Sequence, residues 1–95
     1  MPLYVVERDV SDMTMDQLDM VRRKADTICR RMRRNGKQAR YLRSVLVPGQ
    51  SRCLCLFDAP DPQLVRQVNE IGGLPYLRIL IALDLQAAYT DSDSM

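Results

Sequence analysis

Tyr41-Leu-Arg-Ser-Val-Leu-Val-Pro-Gly-Gln-Ser-Arg-Cys-Leu-Cys-Leu-Phe57 decides the fold of this chain. Two strand-like runs flank Pro48-Gly49-Gln50-Ser51, a turn signal, and together they read as a hairpin. Upstream, Thr14 with Gln17 three residues on makes a capping box. Leu18, Val21, Ala25, Ile28 and Met32 then follow at spacings of three and four, one apolar stripe of a helix. Asn35-Gly36 stops that helix, with Gly36 suited to a left-handed cap. Before it, Leu3 to Val10 reads as a strand. After the hairpin, Asp61-Pro62 opens a second helix with Leu64, Val65, Val68 and Ile71 facing inward, and Gly72-Gly73 ends it. Pro75 to Leu85 reads as the last strand.

The order is therefore β-α-β-β-α-β. It predicts an α+β, ferredoxin-like domain: a four-stranded antiparallel sheet with two helices on one face. One domain spans residues 1–85, and residues 86–95 form a polar, acidic C-terminal tail.

Alternate residues of a strand share a face. Leu77, Ile79, Ile81, Leu83 and Leu85 form an unbroken apolar set, expected under the helices. Tyr76, Arg78, Leu80, Ala82 and Asp84 then line the helix-free face. The same reading puts Tyr41, Arg43, Val45, Val47, Cys53, Cys55 and Phe57 on that open face. Such a face is too apolar for a monomer. Packing of two sheets in a symmetric homodimer, the dimeric α+β barrel arrangement, covers it most simply. Glu7, Tyr41, Arg43, Cys55, Tyr76, Arg78 and Asp84 are the candidate ligand-binding residues of the cavity between the sheets. Arg43 and Arg78 suit a small anionic ligand such as a carboxylate. A second reading on the same scaffold is a small isomerase or cyclase. Glu7, Asp84, Tyr41 and Tyr76 would then be acids and bases, and the two arginines would stabilise an oxyanion.

Composition narrows the chemistry. The chain has no histidine, so serine–histidine and cysteine–histidine catalysis are excluded. Cys29, Cys53 and Cys55 are odd in number and lack Cys-x-x-Cys spacing. They read as small apolar residues of a reducing compartment. The opening Met1-Pro-Leu-Tyr-Val-Val-Glu-Arg-Asp9 turns charged too early for a signal peptide, and no apolar run would span a bilayer. A cytoplasmic protein without membrane contact is expected.

Residues 22 to 43 carry ten basic side chains against Asp26 alone, while the whole chain is only +2. Arg23, Lys24, Arg30, Arg31 and Arg34 fall on the solvent side of the first helix, near its C-terminus, where cations suit the dipole. The third strand has one aromatic and no glycine, unlike the stacking strand of an RNA recognition motif. Nucleic-acid binding is not expected.

Tyr4-Val-Val-Glu-Arg-Asp9, Tyr41-Leu-Arg-Ser44, Cys53-Leu-Cys-Leu-Phe-Asp-Ala-Pro60 and Gly72-Gly-Leu-Pro75, in this order, resemble the small nickel-binding (nickel-responsive) protein family. The resemblance runs from Leu3 to about Leu85. It implies a ferredoxin-like, dimeric protein with nickel as the candidate cofactor. The chain departs from the pattern at Tyr41, where many relatives carry tryptophan, and at Val68, where they carry histidine. A metal here would fall to Cys53, Cys55 and Glu7, with Asp9 or Asp84 as further oxygen donors. Gly36-Lys37, Phe57-Asp58 and Leu74-Pro75 also resemble muconolactone isomerase, a likeness of architecture only.

Overall fold

The capping box opens helix α1 (Met15–Arg34) as its residues dictate. Thr14 Oγ1 accepts from the Gln17 amide at 3.1 Å, and Gln17 Oε1 accepts from the Thr14 amide at 2.9 Å. At the other end Gly36 takes φ 81°. Its amide donates to Arg33 O and the Lys37 amide to Met32 O, which closes the last turn. Helix α2 (Pro62–Gly72) starts at Asp61, whose side chain accepts from the Leu64 amide, and ends at Gly73 with φ 61°. The computed structural model describes residues 1–85. The tail over 86–95 lies outside the described residues.

Four antiparallel strands accompany the helices: β1 (Leu3–Asp9), β2 (Arg40–Val47), β3 (Arg52–Asp58) and β4 (Arg78–Ala82). Their order across the sheet is β2-β3-β1-β4, and both helices cover one face. Between β2 and β3 the chain makes one short 3-10 turn at Pro48–Gln50, closed by Ser51 at φ 51°. The structure is the ferredoxin-like βαββαβ fold that the sequence predicts.

The core differs from expectation in one respect that matters for function. Tyr4, Val6 and Arg8 of β1 and Cys53, Cys55 and Phe57 of β3 are all buried. They lie on the covered face, not the open one. On β3 both faces are apolar, so alternation alone does not say which is inside. The register settles it: Cys55 sits opposite Val6, and Phe57 opposite Tyr4. Tyr41 moves with them. It pairs with Phe57, whereas Arg43 pairs with Leu56, because a bulge intervenes at Leu42. The extra residue turns Tyr41 inward while Arg43, Val45 and Val47 stay on the open face. Tyr76 also packs against the core. On β4 only Ile79 of the expected apolar set packs on the core; Leu77, Ile81, Leu83 and Leu85 are exposed. Ile71 of α2 is exposed as well, and Asn69 is buried beside it.

Gly72 sits where a side chain would meet both Ile28 of α1 and Leu74. A Cβ there would come within 2.8 Å of Ile28 Cδ1 and 2.9 Å of Leu74 Cγ. Gly72→Ala is therefore expected to cost about 1–3 kcal/mol, the usual range for overpacking. Chemical denaturation of the two proteins measures it; a variant as stable as the parent would show that Leu74 swings aside freely.

Candidate functional site

Two polar loci flank the sheet. On the open face, cross-strand register builds rows of side chains. Arg43, Leu56, Val5 and Leu80 form one row, and Val45, Leu54, Glu7 and Arg78 the next. Val47, Arg52 and Asp9 follow. Val45 and Leu80 are 46% and 43% exposed, in a band that is otherwise half-buried. Glu7 anchors the charges: Arg78 Nε donates to its Oε1 at 2.6 Å, and Arg52 Nε lies 3.3 Å from its Oε2. The Arg78 hydrogen bond, first, with the charges of both arginines, holds the Glu7 carboxyl below its ordinary range, against some desolvation. Asp9 lies 3.6 Å from Arg52 and accepts from the Ser11 amide, and that amide bond is the main cause lowering its pKa. Arg43 has no ion pair or side-chain hydrogen bond among the described residues. Arg43 and Arg78 occupy opposite outer strands, three strand spacings or roughly 14 Å apart. Within one protomer they do not converge on one small ligand.

Of the seven ligand candidates, Glu7, Arg43 and Arg78 thus share the open face. Asp84 lies beyond the end of β4 and is exposed. Tyr41, Cys55 and Tyr76 belong to the covered side. Glu7 and the two sulfurs of Cys53 and Cys55 therefore lie on opposite sides of the sheet. The acid–base set of Glu7, Asp84, Tyr41 and Tyr76 is divided in the same way.

The second locus lies beneath the sheet, and its central residue, Arg8, was not foreseen. Arg8 is 0% exposed. Its Nε donates to Cys55 Sγ at 3.4 Å and its Nη1 to Pro75 O at 3.0 Å. No carboxylate reaches it among the described residues, and its Nη2 has no partner. Ser44 Oγ donates to Cys55 Sγ at 3.0 Å, and Tyr41 Oη lies 2.6 Å from Ser44 Oγ. Arg22 Nε donates to Tyr41 Oη at 3.4 Å, which links the cluster to a surface groove of about 190 Å³ lined by Asp19, Arg22, Arg23, Asp26 and Tyr41. Cys53 Sγ lies 3.9 Å from Cys55 Sγ. Period-two counting from Tyr4 and Val6 would have placed Arg8 inside, since residues 4, 6 and 8 share a face. Alternation with Arg43, Val45 and Val47 does put Ser44 inside; the bulge misplaces Tyr41, so the bond between the two hydroxyls was hidden.

A guanidinium cannot shed its proton in a protein, and a buried charge needs a counter-ion. Cys55 supplies it. The Cys53 thiol donating to it, first, then the Arg8 charge and the Ser44 hydroxyl, outweigh burial and bring the Cys55 pKa down to about 5. Cys53 moves the opposite way, chiefly through that same bond and then through burial. Cys29, which meets the backbone of Tyr41 but not Arg8 or Ser44, is pushed up to about 11, chiefly by burial.

A groove of about 330 Å³ between α1 and α2, lined by Ile28, Arg31, Met32, Asn35, Lys37 and Ile71, touches neither locus. Three basic residues of α1 pair with acids one turn back, Arg22 and Arg23 with Asp19 and Arg30 with Asp26, on an exposed face. Such pairs contribute little.

An antiparallel sheet in the order β2-β3-β1-β4, with two helices on one face, makes this a ferredoxin-like α+β protein. The family model described as Nickel responsive protein SCO4226-like matches residues 4–81, and the chain belongs to that family. Among solved structures, SCO4226 from Streptomyces coelicolor A3(2) superposes with a TM-score of 0.67 at 20% identity, covering 90% of this chain and 99% of that one. At that identity the likeness speaks for the fold. A search of the curated proteins returns no match.

The donor set of one protomer does not fit a nickel ion. No group of three or more histidine, cysteine or acidic residues converges among the described residues. The two sulfurs that do approach each other already face the Arg8 cation, which would repel a dication.

Proposed function

We propose that this chain is a small binding protein that works as a homodimer, paired through the open face of its sheet, with a small anionic ligand held between the two sheets. The observation that carries the reading is the open face itself: a half-exposed apolar band of Val5, Val45, Leu54, Leu56 and Leu80 edged by Arg43. A monomer gains by covering such a band. A two-fold axis parallel to the strands would set β2 of one sheet over β4 of its twin. Arg43 of one protomer and the Glu7-bound Arg78 of the other would then border one gap. An anion matches that guanidinium content better than a cation does. Membership in a nickel-responsive family makes nickel the alternative occupant, with donors drawn from both subunits.

Sedimentation velocity tests the pairing. The parent chain is expected to run as a dimer, and Leu80→Glu, which buries a carboxylate in the joint, as a folded monomer. A well-folded parent that stays monomeric at high micromolar concentration would remove the reading. Thermal unfolding tests the occupant, because a ligand at about 100 times its Kd adds about 2.7 kcal/mol. Small carboxylates should raise the midpoint of the parent and not of Arg43→Ala. A rise with nickel alone would hand the cavity to the metal.

A further inference from the structure

Cys29, Cys53 and Cys55 are all buried and free, yet only one of the three sulfurs sits at the focus of donors. Arg8 Nε–H and the Ser44 hydroxyl both point at Cys55 Sγ, and Cys53 Sγ lies within thiol hydrogen-bond range. Ser44 has a single proton. Spending it on the sulfur obliges Tyr41 Oη to donate to Ser44, while Tyr41 accepts from Arg22. The whole run Arg22–Tyr41–Ser44 therefore donates toward Cys55, and Arg8 donates from the other side. A thiol proton on Cys55 would have only Cys53 Sγ, at 3.9 Å, to accept it, whereas a thiolate accepts from Arg8, Ser44 and Cys53 together.

The guanidinium adds a second observation. Nε and Nη2 lie on the same edge of the planar group. The sulfur fills the Nε position, and Nη2, fully buried, is left without a partner among the described residues. An oxygen atom bonded to Cys55 Sγ would come to that edge and complete a two-pronged contact of the kind arginine makes with oxyanions.

We propose that Cys55 is a preformed thiolate and the site at which this chain reacts with hydrogen peroxide or a small organic hydroperoxide, the product being a sulfenic acid held by Arg8. A sulfur lone pair attacks one peroxide oxygen. The S–O bond forms as the O–O bond breaks, and the second oxygen leaves with the bonding pair. That oxygen takes a proton through the Ser44–Tyr41 chain, which reaches the surface groove, and departs as water or an alcohol. The sulfur is oxidised by two electrons and the peroxide reduced by two. Entry needs only local opening. Ser44 lies on β2, an outer strand, next to the bulge at Leu42 that weakens its pairing. Cys53, its proton held more tightly, stays a thiol. The site lies on the helix side, so it is independent of whether the open face pairs.

Cys29 is a control inside the same molecule, equally buried, whose sulfur meets the Tyr41 backbone but no guanidinium or hydroxyl donor. The folded chain is exposed to stoichiometric hydrogen peroxide with a dione that traps sulfenic acids, and each cysteine is followed by peptide mass spectrometry. Cys55 should be trapped at least about tenfold faster than Cys29, as thiolate character dictates. Ser44→Ala, a half-buried position that a folded chain tolerates, should slow Cys55 several-fold and leave Cys29 unchanged. Equal rates at the three cysteines, or trapping at Cys55 only in denaturant, would overturn the proposal. So would a Ser44→Ala chain, folded by circular dichroism, in which Cys55 reacts as fast as before.

Discussion

Cys55→Ala is expected to lower the unfolding free energy by about 3–5 kcal/mol, the cost of leaving one member of a buried charge pair alone. Arg8 is 0% exposed and, among the described residues, holds only Cys55 Sγ and Pro75 O. With the sulfur gone, its fixed charge has no counter-ion in the core. The reverse deletion should be much milder. Arg8→Met keeps the volume, and the abandoned thiolate simply takes up a proton and becomes an ordinary buried thiol. A cost of about 1 kcal/mol is expected there, mainly for the hydrogen bonds lost. Adding Arg8→Met to Cys55→Ala should then recover most of the single-variant loss, a coupling that two unrelated core substitutions do not display. Urea unfolding of the parent, both single variants and the double variant measures this, with Cys29→Ala reporting the cost of a missing sulfur that no buried guanidinium contacts. If Cys55→Ala costs no more than Cys29→Ala, the two residues are not an ion pair.

The elements were legible because each carried its own punctuation. Thr14 with Gln17, Asn35-Gly36, Asp61-Pro62 and Gly72-Gly73 are local signals, and every one of them marks a helix end in the structure. Strand faces are not local in this sense. Leu54 and Leu56 are as apolar as Cys53, Cys55 and Phe57, so β3 fits either way up, and only its pairing with Tyr4 and Val6 decides. On β2 the count from Tyr41 to Arg43 fails because one residue is bulged out, and no residue type announces a bulge at Leu42.

These two failures displaced the candidate site. Reading Cys55 and Tyr41 outward placed them with Glu7, Arg43 and Arg78, in one mixed set that served both the anionic ligand and the metal implied by the family resemblance. The fold sorts them by charge instead: carboxylates and exposed arginines on the open face, and sulfur, hydroxyl and one guanidinium beneath. Arg8 escaped notice because arginine at a strand end ordinarily reads as solvated. Its burial is a tertiary fact, set by Pro75 arriving over β1 from the loop after α2.

The same pair predicts how stability follows pH. Cys55 titrates near 5 in the folded chain against an ordinary value of 9.0. Between those values the unfolded chain binds a proton that the folded chain does not, so stability rises with pH across this window. The contribution is complete above pH 9 and is lost as pH falls toward 5. A proton bound more weakly by one pH unit is worth about 1.36 kcal/mol, so the gap between the two values sets a ceiling of about 5 kcal/mol on the change. Above pH 9 the sign reverses. Cys53 and Cys29 hold their protons more tightly when folded, and stability falls as the unfolded chain releases them. Glu7 and Asp9 are depressed too, but they titrate below this window and lie near the surface, where their effect is slight. Urea unfolding from pH 5 to pH 9 should therefore give the parent a slope approaching about 1.4 kcal/mol per pH unit in the middle of the range. The Cys55→Ala chain, carrying no sulfur to titrate against Arg8, should give a nearly flat line over the same interval. Parallel lines for the two proteins would mean that Cys55 keeps its proton in the fold, and that Arg8 is neutralised by something other than sulfur.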